Sequence, residues 1–210
     1  MDAISRDRTV VGMPDVDLDA VKKPSREEAM EAVRTLIAWA GDDPRREGVL
    51  DTPKRVVEAF EEWFSGYHAD PAVELDRTFE DVQGYDNIVF MRDIEVESHC
   101  EHHMAPFIGK AYVAYLPNKR VVGLSKLARV VEIFSKRLQT QETLTQQITD
   151  AIADNLRPQG VAVMIDAEHQ CMTTRGVHHR HASTITTQFT GAFKTDVELQ
   201  RRFLDFCNRK

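Results

Sequence analysis

The chain has 210 residues, with 42% hydrophobic and 29% charged side chains and a formal net charge of −7. That length holds one sizeable domain, or a compact domain with a helical extension, and the ordinary composition excludes a fibre or a disordered chain. The acidic balance argues against a nucleic-acid partner, which needs a basic surface, so any anionic ligand must meet a local cluster of Lys and Arg.

Residues 1–24 are polar, carry Pro14 and Pro24, and read as a flexible N-terminal arm. At Ser25-Arg-Glu-Glu28 a capping box opens a helix with Met30, Val33, Ile37 and Ala40 on one face and Gly41 as its stop. Thr52-Pro53 reads as an N-cap with proline at the first helical position, leading into Val56, Phe60, Trp63 and Phe64. An N-terminal helical region over 25–83 is therefore expected, followed by a second domain over 84–210.

Within the second region the period changes. Residues 87–96 and 107–116 read as strands, the latter closed by Pro117-Asn118. Gly123-Leu124-Ser125 opens a helix carrying Leu127, Val131 and Phe134, and a second helix over 141–155 carries Leu144, Ile148 and Ile152. Strands follow over 161–166 and 182–191, and Thr195-Asp-Val-Glu198 caps a last helix with Leu199, Phe203 and Phe206. The central order is β-β-α-α-β-β. It predicts an α+β domain of four antiparallel strands with helices on one face, whose open sheet edges invite neighbouring subunits.

The connection between the first two strands holds Ser98-His99-Cys100-Glu101-His102-His103, and His169-Gln170-Cys171 comes much later. Thiolate and imidazole are the ligands zinc prefers, and a Cys-x-x-His pair in a tight turn points two donors at one ion. Cys171 supplies the best third ligand, so Cys100, His103 and Cys171 form a candidate site with one position open, the pattern of a catalytic zinc. A buried thiol beside surface histidines, or a Cys100 to Cys171 disulfide, would account for the same residues. Three cysteines leave one unpaired, and no leader or long apolar run is seen, so a cytoplasmic location with no membrane partner is expected. Cys207 reads as a small apolar residue on a helix.

Four separated motifs resemble GTP cyclohydrolase I: Cys100-Glu-His-His103, Gly123-Leu-Ser-Lys126, Gln139-Thr-Gln-Glu142 and His169-Gln-Cys171-Met-Thr-Thr-Arg175-Gly176. Thr52-Pro-Lys-Arg55 fits as well, and the match runs from about residue 26 to the end. The resemblance implies a tunnelling fold assembled as a homo-oligomer, a decamer of two pentamers, with active sites between subunits. It implies hydrolysis of the guanine imidazole ring of GTP at C8 by water, release of formate, and closure to 7,8-dihydroneopterin triphosphate, the entry to tetrahydrofolate and pterin biosynthesis.

Residue roles follow by the same resemblance. The zinc ligands are Cys100, His103 and Cys171, and the choice of His103 over His102 rests on the family rather than on spacing. His102 and His169 are the implied catalytic histidines, a role imidazole suits near neutral pH; that each simply orients a metal ligand is the plainer alternative. Two residues before Cys171 in an extended segment, His169 would share its side. Glu142 resembles the glutamate that accepts from guanine N1–H and the 2-amino group, and Gln141 beside it is by the same resemblance a substrate-binding residue. Lys126, Arg129 and Arg175 fit the triphosphate positions, with Arg55 reaching in from another subunit and Ser125 donating to ribose or phosphate. The chain departs from the pattern at His178, His179 and His181, which read as a surface loop. A nitrile reductase on the same fold would use a cysteine nucleophile without metal, and a structural zinc module would close all four positions.

Overall fold

A computed structural model describes residues 22–76, 78–79 and 85–209. Most of the expected N-terminal arm lies outside these. The chain divides between Ser65 and Gly66 into two compact units.

In the first unit α1 (Arg26–Trp39) begins at the capping box: the Ser25 side chain accepts from Glu28 N–H, and the Glu28 carboxylate accepts from Ser25 N–H at 2.7 Å. Gly41 follows in the left-handed region at φ 97° and ends the helix. α2 (Thr52–Trp63) starts one residue earlier than expected, with Asp51 at the N-cap and proline in its first turn. The two helices pack together and are tied by Arg26, which reaches Glu58 at 3.1 Å and Glu61 at 2.9 Å.

The second unit opens with a 3₁₀ turn and α3 (Pro71–Leu75), capped by Asp70, whose carboxylate accepts from Ala72 N–H. A two-residue ladder joins β1 (Thr78–Phe79) to β4 (Val121–Val122). The main sheet contains β2 (Val89–Cys100), β3 (Ala105–Leu116), β5 (Leu138–Gln139), β6 (Gly160–His169) and β7 (Thr184–Phe189), in the order β5-β2-β3-β6-β7. β2, β3, β6 and β7 are antiparallel neighbours, whereas β5 adds a short parallel pairing to His99 and Cys100. β2 runs four residues past its expected end, and a bulge between Met91 and Ile94, with Asp93 at φ 56°, keeps the inward alternation in phase.

One sheet face is covered by α4 (Leu124–Ser135) and α5 (Gln141–Leu156). Leu127, Val131, Phe134, Leu144, Ile148 and Ile152 enclose Val96, Phe107, Val113 and Ile165 there. The expectation placed helices on one face alone. α7 (Ala192–Thr195) and α8 (Val197–Asn208) instead set Phe193, Phe203 and Cys207 against Ala114, Ala162 and Met164 on the opposite face. The physical reason is that β3 and β6 are apolar on both sides over this stretch, and such strands must be covered twice. The cap of α8 is Asp196, whose carboxylate accepts from Glu198 N–H and Leu199 N–H; Thr195 belongs to α7.

Candidate metal centre

Cys100 ends β2 and pairs with Ala105 at the start of β3, so residues 101–104 form a tight four-residue connection. Met104 sits in the left-handed region at φ 53°, and its N–H and that of His103 both return to Cys100 O, at 2.8 and 3.3 Å. From outside the hairpin, Glu101 N–H donates to Gln139 O at 3.1 Å. These bonds fix Cys100 at the lip of the sheet, where it is buried.

β6 brings the second half. His169 pairs with Phe107 across the β3–β6 ladder, and the two rings stack at 4.6 Å with an interplanar angle of 8°. The chain then turns into α6 (Gln170–Thr173), which carries Cys171. The helical turn differs from the extended segment expected here. The ligand atoms of Cys100, His169 and Cys171 all lie within 4.8 Å of one another. Two sulfurs and an imidazole nitrogen form a donor set that suits a borderline-soft divalent ion.

The electrostatics agree. Burial raises the Cys171 thiol, and the adjacent Cys100 thiol raises it further. A partly buried thiol pressed against a second sulfur resists ionisation, and a bound cation would remove that penalty. Burial also lowers His169, against the opposing pull of Glu142, so its ring is held neutral in a site where a lone pair is needed.

The other expected site residues fall in three groups. On the 101–104 connection, His102 Nδ1 lies 3.5 Å from Cys100 Sγ, and His103 Nε2 accepts from Arg175 Nη1 at 2.9 Å. Along α4, Ser125 is exposed, while Lys126 and Arg129 both face Glu74 of α3, at 2.6 and 3.6 Å. In the first turn of α5, Glu142 is exposed and Gln141 is buried. Arg55 lies on α2 of the first unit, 3.6 Å from Asp51. His178, His179 and His181 are exposed, and the cluster of Cys100, His169 and Cys171 does not include them.

A family model described as GTP cyclohydrolase I matches residues 29–208. The chain is 70% identical over 191 residues to a protein from Hyphomonas neptunium named GTP cyclohydrolase 1, covering 91% of this chain and 93% of that protein. It is 68% identical to one of the same name from Maricaulis maris, covering 89% and 91%, and 62% identical to one from Allorhizobium ampelinum, covering 90% and 94%.

The chain belongs to the GTP cyclohydrolase I family. For a GTP cyclohydrolase I, the structure adds residues that the motifs did not single out. Ser98 Oγ donates to Arg137 O at 3.4 Å and accepts from Gln139 Nε2 at 3.1 Å, so two buried side chains stand behind Cys100. Phe107 provides the platform under His169. Glu74 balances the α4 cations. The Gln139-Thr-Gln-Glu142 motif contained one of these residues; Ser98, Phe107 and Glu74 carry no sequence signal, because only the tertiary fold sets their neighbours.

Proposed function

We propose that this GTP cyclohydrolase I is zinc-dependent and hydrolyses the guanine imidazole ring of GTP at C8, releasing formate and forming 7,8-dihydroneopterin triphosphate. The observation that carries the reading is the gathering of two thiols and an imidazole within 4.8 Å at one end of the sheet. Cys100 and Cys171 hold the ion; the imidazole inside that cluster is His169's, and His103 is proposed as third ligand on the family resemblance of the Cys100-Glu-His-His103 motif. The Arg175 guanidinium donates to His103 Nε2, so that nitrogen is unprotonated, and it would have to exchange this partner for the ion to serve as a ligand. Bound there, a zinc ion supplies Lewis acidity.

The remaining chemistry belongs to side chains. His169, neutral and pinned on Phe107, and His102, beside Cys100, carry protons to and from the purine nitrogens. The Glu142 carboxylate accepts from guanine N1–H and the 2-amino group. Lys126, Arg129 and Arg175, with Ser125, hold the triphosphate, and Arg55 reaches it from another subunit. The acidic chain thereby meets its anionic substrate with a local cationic cluster.

The assembly proposed is a tunnelling-fold homo-oligomer, a decamer with sites between subunits, working in the cytoplasm. No helix among the described residues is long and apolar enough to cross a membrane. The test is GTP turnover by purified protein, following formate and pterin absorbance together. Equal yields that vanish on chelation and return with zinc are expected. Untouched GTP with zinc-loaded, oligomeric protein would overturn the assignment.

A further inference from the structure

Gln141 opens α5, where the Thr140 side chain caps the helix by accepting from Thr143 N–H. It is 1% exposed, and both ends of its amide are engaged. Nε2 lies 3.0 Å from Ile165 O, 2.8 Å from Thr184 O and 3.1 Å from Thr186 Oγ1. Oε1 lies 2.8 Å from His169 Nε2.

Chemistry settles which end is which. A peptide carbonyl only accepts, so the amide end facing Ile165 O and Thr184 O must be the NH₂ group. The hydroxyls agree with this polarity. Thr145 Oγ1 donates its proton to Gln141 O at 2.8 Å, so Thr186 Oγ1, 2.6 Å from it, donates to Thr145 and is left to accept from Gln141. The other end of the amide is then the oxygen, which only accepts. His169 Nε2 must therefore carry a proton, and the lone pair of the neutral ring is at Nδ1.

We propose that Gln141 is a positioning residue that locks His169 as the Nε2–H tautomer, making Nδ1 the nitrogen that accepts and returns the proton during ring opening. The Phe107 stack fixes the plane of the ring, and Gln141 fixes its rotation within that plane. Gln141 does this without touching GTP, because its side chain is enclosed and both ends of its amide are engaged within the fold. The inference rests on the proposed role of His169 in proton transfer.

Two measurements test it. In ¹⁵N-histidine-labelled full-length protein, solid-state NMR reads each ring's tautomer directly, with the His169 signals assigned by their loss in H169N. A protonated Nε2 and unprotonated Nδ1 are expected, and the reverse would overturn the inference whatever the activity. In kinetics, Gln141→Met keeps the volume and removes the acceptor. Turnover should fall about 10- to 100-fold, with KM for GTP within about twofold of wild type. A rise in KM at unchanged kcat would place Gln141 at the substrate instead. If Gln141→Met does not fold, the tautomer of the wild-type ring still decides the matter. Absence of GTP turnover in the wild type would strike the functional reading alone, since the NMR result does not depend on it.

Discussion

Cys171 and Cys207 show how position in the fold gives one side chain two chemistries. Cys171 is partly exposed beside Cys100 and His169, where a bound metal would relieve the crowding of thiols. Cys207 packs with Phe193 and Phe203 under the sheet, and burial pushes its thiol up to about 12. The folded chain thus keeps a proton that the unfolded chain releases near 9. Stability from the buried thiol is complete below that unfolded value and drains as pH climbs from about 9 toward 12, by at most about 1.4 kcal/mol per pH unit. Urea midpoints should show the gap between wild type and Cys207→Ala closing over that window; a constant gap would mean that the thiol does not titrate on unfolding. The sequence made Cys100, Cys171 and the apolar nature of Cys207 legible, because cysteine near histidine and cysteine among phenylalanines are local patterns. The enclosure of Gln141 was not legible. A glutamine in a first helical turn looks solvent-facing until β6 and β7 close over it.

At the scale of elements, the helices and long strands follow from period and caps, whereas α3, β4 and β5 are too short to show either. Those short pieces position the site. β5 buttresses Cys100, and α3 delivers Glu74 to the cations of α4. Lys126, hydrogen-bonded to Glu74, holds the carboxyl below the usual carboxylate range, so it stays ionised at neutral pH and gives up its charge only in acid. If Lys126 and Arg129 take the triphosphate, Glu74 competes with every anion that approaches them. Glu74→Gln should then tighten inhibition by inorganic triphosphate by roughly two- to fivefold, the scale of a part-exposed ion pair. The gain should shrink in high salt, which screens the competing charge. Weaker inhibition in the variant would instead make Glu74 the group that orients the two cations for binding.

At the scale of the whole molecule, what covers the sheet edges could not be anticipated from sequence, since one chain does not encode its neighbour's position explicitly. Among the described residues β7 pairs with β6 alone, and β5 covers β2 only at His99 and Cys100. Ile185 on β7 is 59% exposed, and in the first unit Trp39 is 87% exposed. Open edges carrying exposed apolar side chains are templates for another strand, and a second copy of the chain is the partner that the proposed assembly supplies. Sedimentation velocity should therefore give a multiple of 23.9 kDa, with a decamer as the expected state. Ile185→Lys places a charge on the β7 edge, where lysine blocks strand addition. The variant should keep its circular dichroism, sediment as a smaller species and lose GTP turnover, because the proposed sites draw residues from more than one subunit. A folded, fully active monomer would remove both the shared-site architecture and the role assigned to Arg55, while leaving the Cys100 and Cys171 centre, which a single chain assembles, as it stands.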